Sequence, residues 1–599
     1  MKKIFFGVIF LSITGCTSSD NYNATESPLL EVLERSWDAP KSEKSIAQLR
    51  SASNKGDAES QYLLGWSYDE GEGVEQSATE AVKYYKMSAD QGYAPAQTNL
   101  GWMYQNGVGA KQDYEEAVRY FRLAARQGYA MPEFNLGWMY EKGLGVEQSY
   151  EKALMYYRSA AELNLPRAQY GLGKLYRLGL GVEQSDETAA AYYELAANQG
   201  HIVAQTQLGW MHEEGRGVYQ SDEEAVKYYL MASKQGHARA QTNLGWMYEK
   251  GRGVSQSHIK AIEYYRLAAN QGYARAQTNL GWMYQRGLGV PLSYKKALKL
   301  YQKAAEQNYA RAQNLLGWMH EDGYGVPQDY QKAFEYYKMS ADQGYEDALV
   351  NIGWLYEDGL GLPQSYEKAL EYYNLAAERG EARAQTNIGW LYRNGFGVTQ
   401  NYEKALDYYH MASEQGYARA QSHLGTMYRK GLGVPKDYKK AIEYYKKAAD
   451  QGFENAQANL GWMYAEGLGE RRSYKTYEKA VKYYELAADQ GDSFSLVNLG
   501  VLYDQGYGVT QNKEKAVSYY RLSAARGNLR AQSKLGWAYK RGKGVEQSDV
   551  KSYMWFYIRH YNQSPDEAFE VNTPLNAVQI KQAQFMALIC ISSNYSDCD

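Results

Sequence analysis

Charge imbalance, cysteine, histidine and proline are what this sequence has least of. Its 66 basic and 69 acidic residues leave a net charge of -3 over 599 residues. That excludes a general nucleic-acid binder, which needs a basic footprint to displace counterions. The eight histidines (His201, His212, His237, His258, His320, His410, His423 and His560) are scattered, and no pair has zinc-type spacing. Neither a metal nor any other cofactor is expected. The apolar run at residues 4–13 is too short to cross a bilayer as a helix. Only 11 prolines stand beside 57 glycines and 61 tyrosines, a bias that asks for internal repeats before any count of domains.

Residues 1–15 read as an export leader. Lys2 and Lys3 supply the positive start, residues 4–13 the apolar core, and "ITGC" ends at Cys16. A small residue before a cysteine resembles the lipobox of bacterial lipoproteins. The resemblance implies cleavage before Cys16 and acylation of its thiol and new amino terminus. Each buried methylene contributes about 0.8 kcal/mol, so several chains hold a protein firmly on a membrane. Thr17 rather than Asp follows, which by the same resemblance implies delivery to the outer membrane of a Gram-negative bacterium. The plainer reading is an ordinary secretory signal with a chance cysteine. Cys590 and Cys598 are left; in an oxidising compartment they can form a C-terminal disulfide, and two free thiols are the alternative.

What the sequence has in abundance is itself. "AQTNLGWMY" occurs at residues 96, 240 and 276, and the intervals, 144 and 36, share a period of 36. The glycine of its "LG" recurs at that period from Gly65 to Gly461, then at Gly500 after 39 residues and Gly536 after 36, giving fourteen units. The three extra residues, in "GLGERRSYKTYEKAV", are expected to lengthen a loop. One unit reads as two helices. The first runs over about 274–285 and ends in "RGLGV", where glycine supplies left-handed backbone. The second starts near Ser293 behind a capping position filled elsewhere by Asp113, Ser149, Ser221, Asp329, Ser365, Asn401 and Asp437. Asp113 with Glu116 has the form of a capping box.

The recurring "A-x-x-x-L-G-x-M-Y", "G-x-G-V" and "A-x-x-Y-Y-x-x-A-A-x-Q-G" resemble the Sel-1-like repeat, a relative of the tetratricopeptide repeat. The resemblance implies an all-α, right-handed α-solenoid of about fourteen helix-turn-helix repeats with terminal caps. The expected organisation is a leader at 1–15, a tether at 16–27, leading helices at 28–56, the solenoid at 57–557 and a capping segment at 558–599 with a last helix over about 575–590.

On a helical wheel at roughly 100° per residue, Leu280, Ala276, Met283 and Tyr284 share one face, and Trp282 falls at about 200° among Arg275, Thr278, Asn279, Gln285 and Arg286. Gly281 allows a neighbouring helix to approach. Eleven units carry Trp at this position: Trp66, Trp102, Trp138, Trp210, Trp246, Trp282, Trp318, Trp354, Trp390, Trp462 and Trp537; Lys174, Thr426 and Val501 are the exceptions. Beside it run an Asn column (Asn99, Asn135, Asn243, Asn279, Asn351, Asn387, Asn459) and an Arg column (Arg167, Arg239, Arg275, Arg311, Arg383, Arg419). By analogy with the resembled families these would line a concave groove. Two readings stay open: a ladder that binds a ligand, or rings that pack on neighbouring Arg side chains and tighten the stack, the Arg pairing with acids such as Glu249 or Glu321.

No catalytic constellation emerges. "G-x-G" follows helices, not strands, so it is no dinucleotide fingerprint. "S-x-x-K" (Ser149–Lys152, Ser257–Lys260, Ser293–Lys296, Ser365–Lys368) matches a serine β-lactamase motif but sits at helix caps, and the "SDN" at Ser19–Asn21 lies in the tether. The expected function is a non-enzymatic envelope scaffold for a protein partner, held at the membrane by its lipid anchor; glycan binding by the Trp column, to peptidoglycan or exopolysaccharide, is the alternative. Replacing Cys16 by Ser should abolish palmitate labelling and release the protein from the membrane fraction. Unlabelled wild type, or a Cys16→Ser protein that still sediments with membranes in high salt, would contradict the lipobox.

Overall fold

The structure, a computed structural model, describes residues 44–564, 574–593, 595 and 598. The leader, Cys16, the tether and residues 28–43 of the leading segment lie outside the described residues. Among those described there are thirty helices and no strand. They fall into two compact units, residues 1–309 and 310–599. Within each unit every helix packs on the next in sequence, as an α-solenoid does.

One repeat shows why the sequence folds this way. Its first helix, Ala274–Arg286, stops at Gly287, whose φ of 66° is left-handed. Its second, Tyr294–Glu306, is capped by Ser293, which accepts from the Lys296 N–H. All the expected caps, from Asp113 to Asp437, accept in this way. The box at Asp113 is only half formed, however. Glu116 offers its backbone N–H, but its carboxylate turns to Arg119 at 2.7 Å, a nearer charged donor than the cap.

The glycine of "LG" lets the second helix approach, as expected, and what fills the space is chiefly a ring; on Gly245 a Cβ would also stand 3.2 Å from the Ala261 carbonyl oxygen. A Cβ on Gly281 would stand 2.5 Å from Cε1 of Tyr301, and one on Gly245 would stand 2.7 Å from Cδ1 of Tyr265. Tyr157, Tyr193, Tyr229, Tyr265 and Tyr301 in the first unit, and Tyr337, Tyr373, Tyr409, Tyr445 and Tyr484 in the second, are all buried in this seat. Tyrosine rather than phenylalanine fits because the hydroxyl ends against the last turn of the first helix. Tyr229 donates to Glu213 at 2.6 Å, Tyr265 to Glu249 at 2.8 Å and Tyr301 to Gln285 at 2.6 Å.

A glutamine relay joins repeat to repeat. Gln241 donates to the Ser233 carbonyl at the end of the preceding second helix, at 3.4 Å, and accepts from Gln271 at the end of its own second helix, at 2.8 Å. Gln457 repeats the arrangement in the second unit, donating to Ala449 at 3.3 Å and accepting from Gln490 at 2.8 Å. Each such bond is worth about 1 kcal/mol net, and an orphaned buried amide would cost more. Outside this, rings stack between the two helices of a repeat, as in Tyr248–Tyr264 at 5.7 Å, and the first-turn lysine lies over them, Lys260 at 5.0 Å from Tyr248. The lysines of "S-x-x-K" are thereby accounted for.

The three-residue insertion does not lengthen a loop. From Gly467 to Ser473 is six residues, as from Gly287 to Ser293, whereas the second helix Tyr474–Asp489 has 16 residues instead of 13. Three residues are close to one turn, so a solvent-side turn is added behind a capping box at Ser473–Thr476 while the buried face keeps its register. At the ends, the leading segment contributes Ile46–Asn54, and the second helix of the last repeat runs Asp549–Gln563, past residue 557. The last helix is Ala577–Ser592, and Cys590 is disulfide-bonded to Cys598.

Gly245→Ala should destabilise the first unit by about 1–3 kcal/mol, the usual range for overpacking. The loss should shrink in a Tyr265→Leu background. Urea melting of the four proteins of this cycle measures the coupling; equal losses in both backgrounds would remove the ring from the explanation.

Candidate binding surface

The Trp column is mostly half-buried. Trp210 and Trp246 are core residues, 5% and 9% exposed. Trp66, Trp102, Trp138, Trp282, Trp318, Trp354, Trp390 and Trp462 are half-buried. Trp537, at 49%, is the only exposed tryptophan among the described residues. The face that a wheel makes polar is not open either: Thr278 and Asn279 are buried, and so are Asn99, Asn135 and Asn243. The reason is packing. A first helix such as Ala274–Arg286 lies between its own second helix and the preceding one, and also touches the first helix Ala238–Lys250. An isolated wheel sees none of these neighbours.

The rings are braced rather than free. Arg216 and Arg252, the middle residues of two "GRG" turns, lie 5.3 Å and 5.1 Å from the Trp210 and Trp246 rings. Arg252 is itself held by Asp222 at 2.6 Å. In "GYG" and "GFG" turns the same position offers an aromatic: Tyr324 is 4.8 Å from Trp318 and Phe396 is 5.2 Å from Trp390. At two of the three positions where Trp is missing, the replacement engages the buried polar groups; Val501 has no polar atom to do so. Lys174 reaches Glu141 at 2.6 Å, and Thr426 pairs with the Tyr445 hydroxyl at 2.9 Å.

Arg239, Arg275 and Arg311 are half-buried. Arg383 shows what such a residue does: it pairs with Asp347 at 3.0 Å and with Glu381 at 3.4 Å, and only its field reaches Glu321. Burial lifts the Glu321 carboxyl to about 7, against the Tyr337 hydroxyl that donates to it and the charge of Arg383. Burial likewise depresses His237 to about 4, with Arg239 adding to the effect, and the His237 ring meets the Thr206 hydroxyl at 2.7 Å. These groups are structural, each spent on a neighbour in the same stack.

Two surfaces remain open. The second helices present an apolar column: Leu195 and Leu267 in the first unit, Met339, Leu375, Met411, Leu486 and Leu522 in the second, each 40–51% exposed at one register. A single exposed leucine is ordinary; recurrence at a fixed helical position is not. Around Trp537, between the last two repeats, lies a cavity of about 730 Å³. Sequence reading missed both. The column was legible as the Leu or Met after most "YYx" triplets, with Ser159 and Lys447 as exceptions, but only the structure shows that it faces outward.

A family model described as Sel1 repeat matches fourteen segments, from residues 58–93 to 529–558. A solved protective antigen present in uropathogenic Escherichia coli strains and displaying an SLR fold is 30% identical over 86% of this chain and 96% of its own, with a TM-score of 0.44. A Sel1 repeat protein from Oxalobacter formigenes is 33% identical over 54% of this chain and 96% of its own, with a TM-score of 0.41. An immunity protein from Pseudomonas aeruginosa is 25% identical over 36% of this chain and 81% of its own, with a TM-score of 0.28. No curated protein matches the chain.

Trp246→Ala should lower stability by about 3–5 kcal/mol, the range for a large aromatic removed from a core. Trp537→Ala should leave thermal melting nearly unchanged. Parallel melts check both; an unchanged Trp246→Ala protein would restore the tryptophans to a purely ligand-facing role.

Proposed function

The chain belongs to the Sel1 repeat family, and from that premise we propose that it is an exported, lipid-anchored scaffold that holds a protein partner in the cell envelope. Sel1 repeat proteins generally serve as protein–protein interaction scaffolds and are typically non-catalytic. The order of charge, apolar run and Cys16 supports export and anchoring. The observation that carries the binding role is the exposed Leu and Met column of the second helices. It offers a partner apolar contact at each repeat that has it, one period apart at Met339, Leu375 and Met411 and two periods apart at Leu195 and Leu267. That differs from the groove expected of the first helices, whose Trp side chains are mostly half-buried and several of whose Asn side chains are buried. Glycan stacking along a Trp ladder is the second reading; it is less favoured because an Arg, Tyr or Phe side chain lies against several of the rings, as at Trp210, Trp246, Trp318 and Trp390.

The test is crosslinking in cells followed by affinity purification of the membrane-anchored chain, comparing wild type with Leu195→Lys/Leu267→Lys and Met339→Lys/Leu375→Lys. Exposed apolar residues contribute little to the fold, so both variants should keep wild-type helicity. Loss of an interface anchor typically costs 2 kcal/mol or more, so recovery of the specific partner should fall by about tenfold or more. Recovery of the same protein at the same yield from both variants would remove the column as the contact surface.

A further inference from the structure

We propose that the cavity between the last two repeats binds an acidic peptide segment of the partner; the proposal rests on the scaffold reading above and names the chemistry of one contact. The cavity is lined by six cations, Lys513, Arg530, Lys534, Arg541, Lys543 and Arg559, and by one acid, Asp504. Among the described residues none of the six is in an ion pair with a carboxylate; Arg530 bonds the Asn498 side chain at 3.1 Å.

The last repeat departs from its sisters just where this lining is made. Against "ARAQTNLGWMYQRGLG" at residues 274–289 it reads "LRAQSKLGWAYKRGKG" at residues 529–544. Lys534 replaces the buried Asn, Lys543 replaces a Leu, and Ala538 replaces a buried Met. Two charges are gained and a large side chain is lost on one wall. Trp537 stays open in the same wall, with the Arg541 guanidinium 4.8 Å over its ring and Phe556 meeting it edge-on at 5.5 Å.

A second, independent feature points the same way. In several sister repeats the buried Tyr hydroxyl donates to an acid sixteen residues before it, as Tyr265 does to Glu249 and Tyr337 to Glu321. Before Tyr520 that position is Asp504, one methylene shorter, and its carboxylate takes the Gln505 amide at 2.8 Å instead. Tyr520, 3% exposed, lines the cavity with a buried hydroxyl that has no hydrogen-bond partner. A carboxylate entering the cavity would satisfy it. Guanidinium forks match carboxylates in bidentate geometry, and the Trp537 face with Ala516 and Val517 gives room for an apolar side chain between them. The cavity is larger than a lone oxyanion needs, and its mixed lining suits a chain that alternates carboxylates with apolar groups.

The experiment uses the full chain and a short fluorescein-labelled peptide of alternating Glu and Phe, with a Gln-for-Glu peptide as control, followed by fluorescence anisotropy at low salt. The acidic peptide should bind and the control should not. Lys534→Asn/Lys543→Leu, which restores the sister residues, should weaken binding by about tenfold or more while melting stays unchanged. Ala538→Met should weaken it by refilling the wall, and Tyr520→Phe should weaken it while leaving the control peptide's behaviour unchanged. Absence of peptide binding, equal binding by the sister-residue variant, displacement of the peptide by inorganic phosphate, or preferential binding of an oligogalacturonate would each overturn the proposal. Partner capture that still depends on Leu195 and Leu267 while the peptide fails to bind would overturn this contact alone and leave the scaffold reading standing.

Discussion

The seat of a tyrosine ring on a glycine backbone is the constraint from which the rest of each repeat follows. With no Cβ at Gly245 or Gly281, the two helices of a repeat come close enough for the ring to lie on the first helix. That distance then sets where the hydroxyl ends, which is why the last turn of the first helix carries Glu or Gln. It also brings the outer Tyr of each helix into stacking range and puts the first-turn lysine over the pair. Burying a large side chain is worth about 1.5–3 kcal/mol, and this one recurs at nearly every repeat. Stability is accordingly distributed along the stack in nearly equal instalments, as expected when each repeat contacts only its neighbours.

Most of the architecture was legible in the sequence because it depends on local chemistry. Helix starts at Ser149 or Asp437 and stops at the "GxG" turns need only short-range hydrogen bonds and left-handed backbone, and both are where the residues put them. The period gave the order of packing. The parts that were not legible depend on what lies next to a helix. Trp282 looks solvent-facing on a wheel, but the wheel contains one helix and the structure surrounds it with others. The two glutamines of the relay, Gln241 and Gln271, look like unremarkable polar residues until the repeats are stacked, when one becomes the acceptor of the other. The insertion before Tyr477 was misplaced because three residues are equally easy to put in a loop or a helical turn; the capping box at Ser473 decides for the turn.

The exceptions in the Trp column clarify what the position is for. Lys174 and Thr426 are chemically unlike Trp, yet both engage the buried Tyr or Glu side chains of the stack. At these two positions the side chain is spent on neighbours within the stack. At Trp537 the neighbours themselves change, through Lys534, Ala538 and Lys543, and the ring, with Arg541 over it, stays 49% exposed beside a basic cavity. The same residue type thus has two fates in one chain, decided by the residues around it.

The uniformity of the interfaces has a genetic consequence. Because Gln241 and Gln457 make the same bonds to equivalent neighbours 216 residues apart, repeats that carry this glutamine pair are interchangeable at that contact. Stretches such as the three copies of "AQTNLGWMY" are also the substrates on which unequal recombination acts. Gain or loss of one 36-residue unit in frame between repeats that carry the glutamine pair would leave that contact intact, whereas a junction such as the one with Leu349 and Arg379 would not be exchanged without changing its bonds.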